Sequence, residues 1–160
     1  MDRLNKWLTF TSNIAVLVGI IFLAVEMGQN TSATQAQTRN AMTENTLNWQ
    51  LAISTNPEAA TAYFNGIRQE TTNFSASSME GFMFRLMVEA NFRLWENEWY
   101  QYQKGLFEDS EFDARKRTWA ARISGLQGSY KQYWEGVENL YADDFTAEID
   151  SIISELELSN

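Results

Sequence analysis

The residues that could do chemistry in this chain are chiefly carboxylates, since it contains no histidine and no cysteine. Their absence removes Cys and His catalysis, thiolate zinc sites and disulfides. Three carboxylate settings stand out. Glu26, together with Asn13, brackets an apolar run. There an inward-facing acid in an oligomer would line an ion or proton path, and a single-chain reading makes it an interfacial residue reaching into headgroups and water. The run Glu108 to Asp113, "EDSEFD", has the acid density of a calcium loop. It lacks the loop glycine and the ligand spacing of an EF-hand, and acids at a helix start account for it. Glu96 and Glu98 are two apart, and such positions on a helix do not face each other, so they form no acid–base pair. A ferritin-type di-iron site requires Glu-x-x-His, which is impossible here. There is no phosphate-cradling glycine loop and no nucleophile elbow. The expectation is a protein that is not an enzyme and holds no cofactor and no metal. A membrane-tethered enzyme with a carboxylate-only metal site is the remaining catalytic reading.

These side chains need a scaffold, and the composition points to an all-α one. At 160 residues the chain is about one domain. Six tryptophans and ten phenylalanines supply bulk for a core. Pro57 is the only proline and turn-rich strands are hard to find, which favours helices. A net charge of −9 argues against nucleic-acid binding, since no basic face would attract phosphates. The one cationic cluster, Arg115-Lys116-Arg117, lies beside the acidic run.

From Trp7 to Met27 the chain reads "WLTFTSNIAVLVGIIFLAVEM". As a helix this segment is roughly 31 Å long, near the hydrocarbon thickness of a bilayer. Trp7 stands where an interfacial aromatic belongs. Leu8 and Phe10 extend the apolar surface, and Thr9, Thr11 and Ser12 can bond back to their own helix. Ile14, Leu17, Ile21 and Val25 belong to an apolar surface that surrounds the helix, which suits lipid. The span is thus marked by Trp7, Phe10, Asn13, Ile14, Leu17, Ile21, Val25 and Glu26. A signal peptide is the rival, with Arg3 and Lys6 as its n-region and "TSA" ending at Ala33 as its cleavage site. A buried core helix is the other. An uncleaved anchor is the expectation. Arg3 and Lys6 precede the span and Arg39 follows it, which puts the N-terminus in the cytoplasm and the main domain in the periplasm.

No proline or glycine interrupts Gln29 to Ser54, so the membrane helix can continue as one rod. Ala33, Ala36, Asn40, Thr43, Leu47 and Leu51 recur at spacings of three or four and form a candidate self-association face. A plain solvated connector is the alternative. Asn56, Pro57 and Glu58 open the next helix, which ends near Gly66 to Arg68. "QETTNFSASS" is expected to be a loop. The longest soluble helix is expected from about Ser78 to Lys104, ending at Gly105. It bears two apolar stripes, one of Met79, Phe82, Met83, Leu86, Met87, Ala90 and Leu94, the other of Phe84, Val88, Phe92, Trp95, Trp99 and Tyr102. Two stripes place it centrally in its bundle, with its aromatics as core and not as a ligand cage. A charged stripe of Arg85, Glu89, Arg93 and Glu96 is spaced for ion pairing. Ser110 with Asp113 resembles a capping box before Phe112, Trp119, Ala120 and Ile123. Tyr130, Tyr133, Trp134, Val137, Leu140 and Tyr141 fit another stripe. Asp143 or Asp144 caps a last helix that buries Phe145, Ile149, Ile152, Ile153 and Leu156. The organisation read is 1–28 anchor, 29–55 extended helix and 56–160 helical bundle.

"FLAVEMGQNT", "YQKGLFEDSEFDARKRTW" and "YWEGVENLYADDFTAEID" resemble a family of small, uncharacterised bacterial single-pass membrane proteins. The shared pattern is an apolar helix followed by Glu26-x-x-Gln29-Asn30-Thr31 and a helical domain. Many members have a basic residue where this chain has Met27-Gly28-Gln29. The resemblance implies an N-terminal span and a helical soluble domain, and carries over no activity, cofactor or catalytic residue. The expected role is a membrane-anchored, self-associating accessory or scaffold protein of the bacterial inner membrane. Its partners would be lipid and a second copy or another membrane protein. The alternative is a subunit of a small oligomeric channel or sensor.

Overall fold

The computed structural model describes residues 1–68, 78–125 and 128–159. It is all-α, with a long apolar N-terminal helix followed by a helical bundle. The helices are α1 (Asp2–Ser54), α2 (Pro57–Ile67), α3 (Met79–Gln103), α4 (Asp109–Ile123), α5 (Ser129–Trp134) and α6 (Asp143–Leu158), with a 3-10 turn at Glu138–Leu140. Two compact units result, Met1–Arg39 and Asn40–Asn160.

The first unit is helical from Asp2 onward, and Gly28 does not interrupt it. Its hydroxyls turn back onto their own helix. Thr9 donates to the Asn5 carbonyl at 2.9 Å and Thr11 to that of Trp7 at 2.9 Å. Beyond the apolar run, Thr31, Ser32 and Thr34 do the same. These bonds satisfy the polar side chains without outside partners, so the helix flank stays apolar. Mean hydropathy reaches 2.3 in this helix, and none of that apolar window is buried. Among the described residues it is the one helix long and apolar enough to cross a membrane.

The second unit begins with the C-terminal arm of α1. Met42 is buried there, and Thr46, Trp49 and Ile53 are half-buried on the same side. This polar segment is a weak helix former alone, and packing against the bundle compensates. Asn56 caps α2 as its type and position require, its Oδ1 accepting from the Glu58 and Ala59 amides at 3.0 and 3.1 Å. Gly66 is buried where α2 meets α3, and a Cβ there would overlap the Phe84 ring. Ser78 caps α3 by accepting from the Gly81 amide at 3.0 Å. The expected loop falls on residues 69–77, outside the described residues, apart from this cap.

α3 packs against α2, α5 and α6. Phe84, Val88, Phe92 and Trp95 are buried, so one stripe is core. Phe92 lies against Trp95, Tyr133 and Trp134 with ring centroids 4.8, 5.7 and 5.0 Å apart. Burying one such ring contributes about 1.5–3 kcal/mol. The other stripe departs from expectation. Met79, Phe82 and Leu86 are 73, 44 and 47% exposed, whereas Met83, Met87 and Leu94 are half-buried. Among the described residues this second stripe is thus covered only in part.

Gly105, at φ 72°, ends α3 and lets the Leu106 amide reach the Gln101 carbonyl at 3.1 Å. α4 starts at Asp109, two residues before a Ser110 capping box would allow. Ser110 is consequently inside the first turn and caps nothing, and the N-cap residue is Glu108, without a side-chain bond. Phe112, Trp119 and Ile123 are buried as expected.

The Tyr130 to Tyr141 stripe is not one helix. α5 stops at Trp134 and a 3-10 turn follows, which swings Leu140 outward to 61% exposure. Its neighbours Tyr133, Trp134, Val137 and Tyr141 remain buried. Arg93 and Glu96, paired at 2.8 Å, hold this connection. Arg93 donates to the Leu140 carbonyl at 3.2 Å, and Glu96 accepts from the Ala142 amide at 3.0 Å. α6 takes Ala142 as its N-cap residue, so Asp143 and Asp144 fall in the first turn, where their charge complements the helix dipole. Phe145, Ile149 and Ile152 are buried, with Ile153 and Leu156 packed beside them.

Candidate functional site

Trp7, Phe10, Asn13, Ile14, Leu17, Ile21, Val25 and Glu26 all lie on α1 with exposed side chains. Trp7 and Phe10 meet edge to face at 6.1 Å. Asn13 and Glu26 are thirteen residues apart, about 140° around a helix of 100° per residue. A straight helix thus presents them on different sides.

The candidate association face is exposed throughout. Ala33 and Ala36 are exposed in the first unit, and Asn40, Thr43, Leu47 and Leu51 in the second. Within the second unit these four positions are turned by about 135° from Met42, Thr46, Trp49 and Ile53, which pack inward. Trp49 fixes that rotation by donating its indole N–H to the Met87 carbonyl at 3.1 Å.

The bundle also contains a polar site that sequence reasoning missed. Asn91 and Glu98 stand seven apart on α3, and Arg115 and Arg122 seven apart on α4 with Trp119 between. Two helical turns separate each pair, so both pairs face one another across the helices. Glu98 is only 5% exposed. It accepts from Arg115 Nη1 at 2.6 Å and from Trp119 Nε1 at 3.0 Å. Burial pushes its carboxyl up from the ordinary range, against the pull of Arg115 and the Trp119 bond. Glu96, two residues away, points to the α5–α6 connection instead, so the two acids do not cooperate. The available signal was the seven-residue recurrence of polar groups beside aromatics, Asn91 and Glu98 around Trp95 on α3, and Arg115 and Arg122 around Trp119 on α4.

Arg122 is the second node. Its Nη1 donates to Asn91 Oδ1 at 3.2 Å and to the Tyr63 and Tyr130 hydroxyls at 3.4 and 3.5 Å. Its guanidinium also lies 4.9 Å from the Trp49 ring centroid. The tyrosines bond each other at 3.0 Å, and Tyr130 donates to Asn91 at 3.2 Å. Burial raises the Tyr130 hydroxyl's pKa, and Tyr63 adds to it, so the phenol stays neutral and able to donate. Side chains from α1, α2, α3, α4 and α5 meet at this point. Beside the network lies a cavity of about 340 Å3, bounded by α1, α3 and α4.

The acids of "EDSEFD" act locally. Asp109 accepts from the Tyr102 hydroxyl at 3.0 Å, and Tyr102 stacks on Phe112 at 4.0 Å. Among the described residues no group of acids is placed to hold a metal ion. Comparison with protein-family models, with curated proteins and with solved structures gives no match to this chain.

Proposed function

We propose that the protein is a single-pass membrane-anchored accessory or scaffold module, without catalytic activity, that self-associates through the outward face of α1. The bacterial inner membrane is the proposed location, with the bundle on the periplasmic side. The observation that carries this reading is the exposure of Leu47 and Leu51, 51 and 54%, on the side of α1 turned from the bundle. Large aliphatic side chains in line with Asn40 and Thr43 leave an apolar strip that a second helix can cover. The apolar flank of the first unit supplies the anchor. The buried Glu98 and Asn91 are bonded to Arg115, Trp119, Arg122 and Tyr130, which supports a structural role for them.

The chain has no cysteine, so engineered thiols report contacts cleanly. Ala36→Cys and Leu47→Cys are expected to yield a disulfide-linked band of twice the mass when the full chain is oxidised in detergent. Asn48→Cys, about 100° around the helix from Leu47, is expected to yield little. Absence of the band from both Ala36→Cys and Leu47→Cys overturns the reading.

A further inference from the structure

The cavity between α1, α3 and α4 carries a charge surplus. Glu98 faces two guanidiniums there, those of Arg115 and Arg122. Arg115 gives one nitrogen, Nη1, to Glu98, and the hydrogen bonds of Arg122 all leave from its Nη1. A guanidinium has five N–H donors. The Nη2 and Nε groups of both arginines donate to no protein acceptor among the described residues. This local positive surplus sits in a chain of net charge −9. Leu94, Trp95 and Trp119 give the cavity apolar walls, and Gln50 lies at its exposed α1 side. A volume of about 340 Å3 is that of pockets for small organic ligands.

We propose that this cavity binds a small monoanionic carboxylate with an aromatic or branched apolar body. A carboxylate matches the spare edge of a guanidinium in two parallel hydrogen bonds. A single negative charge cancels the surplus that remains after Glu98 is counted. Further negative charge would meet Glu98 itself, which selects against polyphosphates. Cations are repelled by both arginines. The indole and leucine walls take the apolar body, which distinguishes the ligand from an inorganic anion.

The test is titration calorimetry and tryptophan fluorescence on the full chain in detergent, with phenylacetate, isovalerate, phenethylamine and inorganic phosphate as probes. Phenylacetate and isovalerate are expected to saturate, and phenylacetate to quench the indoles. Gln50→Glu places a negative charge at an exposed lining position, which leaves the core untouched. It is expected to weaken phenylacetate by about tenfold or more, the scale of a lost charge-assisted contact. The double variant Glu98→Gln with Arg115→Gln removes both partners of the buried pair and is expected to weaken it similarly. Failure of both carboxylates to saturate at millimolar concentration overturns the proposal. So does equal binding of phosphate or phenethylamine. A signal that Gln50→Glu leaves unchanged also overturns it, since it then reports partition into the micelle.

Discussion

Trp49 of α1 is bound to the main-chain carbonyl of Met87 of α3, with 3.1 Å between indole nitrogen and oxygen. Side chain to backbone contact of this kind fixes the rotation of one helix against the other. Apolar packing alone would tolerate several rotations. Within the second unit the bond acts with buried Met42 to hold Leu47 and Leu51 away from the bundle.

Trp49→Phe keeps most of the ring and loses the donor. The unit is expected to lose about 1 kcal/mol, the usual net worth of such a bond. Arg122 keeps an aromatic face beneath it, 4.9 Å from the present ring centroid, so its other contacts should persist. Chemical denaturation of the full chain measures the loss, and an unchanged midpoint would show that the bond contributes nothing.

Glu98 sets a pH dependence. Its folded carboxyl binds a proton more tightly than the unfolded one, because burial outweighs Arg115 and Trp119. Its contribution to stability is thus present at low pH. It is lost as pH rises from the unfolded value near 4.5 through the raised folded value. Glu98→Gln does not ionise and keeps an acceptor for Trp119. The variant is expected to gain thermal stability relative to the parent as pH rises through that window. A relative loss would mean that the ion pair with Arg115 dominates.

Gly66 and Phe84 test the α2–α3 contact. A methyl group at Gly66 would overlap the Phe84 ring. Gly66→Ala is expected to cost about 1–3 kcal/mol through overpacking. Phe84→Leu in the same chain should make the alanine less costly than it is alone, which a double-mutant cycle would measure.

Ile149 and Leu140 separate burial from pattern. Ile149 is 0% exposed and Leu140 is 61% exposed. Ile149→Ala is expected to cost about 2–5 kcal/mol and Leu140→Ala less than about 0.5. Thermal melts of the two variants would show the difference directly.

Most helix boundaries were legible because they are set by local chemistry. Asn56-Pro57, Ser78 and Gly105 each act through their own backbone geometry, so their meaning survives without tertiary knowledge. The inward face of α6 was legible for a similar reason, its isoleucines recurring at helical spacing. Errors came where another element decides. Nothing in α3 says that its second apolar stripe will be covered only in part, leaving Phe82 and Leu86 open. Leu140 fits a helical stripe, yet the chain leaves the helix after Trp134. Glu98 was the largest omission from the candidate site. A charged residue among helix-surface charges reads as solvated, and its burial depends on Arg115 and Trp119 from α4.

Trp95 and Trp119 stack with centroids 5.6 Å apart and planes 20° apart. Two indoles that close couple their electronic transitions, so the pair should give an exciton couplet in circular dichroism that isolated tryptophans lack. Both rings come from different helices and both border the cavity. The bundle therefore carries its own optical gauge, sensitive at once to the spacing of α3 and α4 and to whatever enters between them.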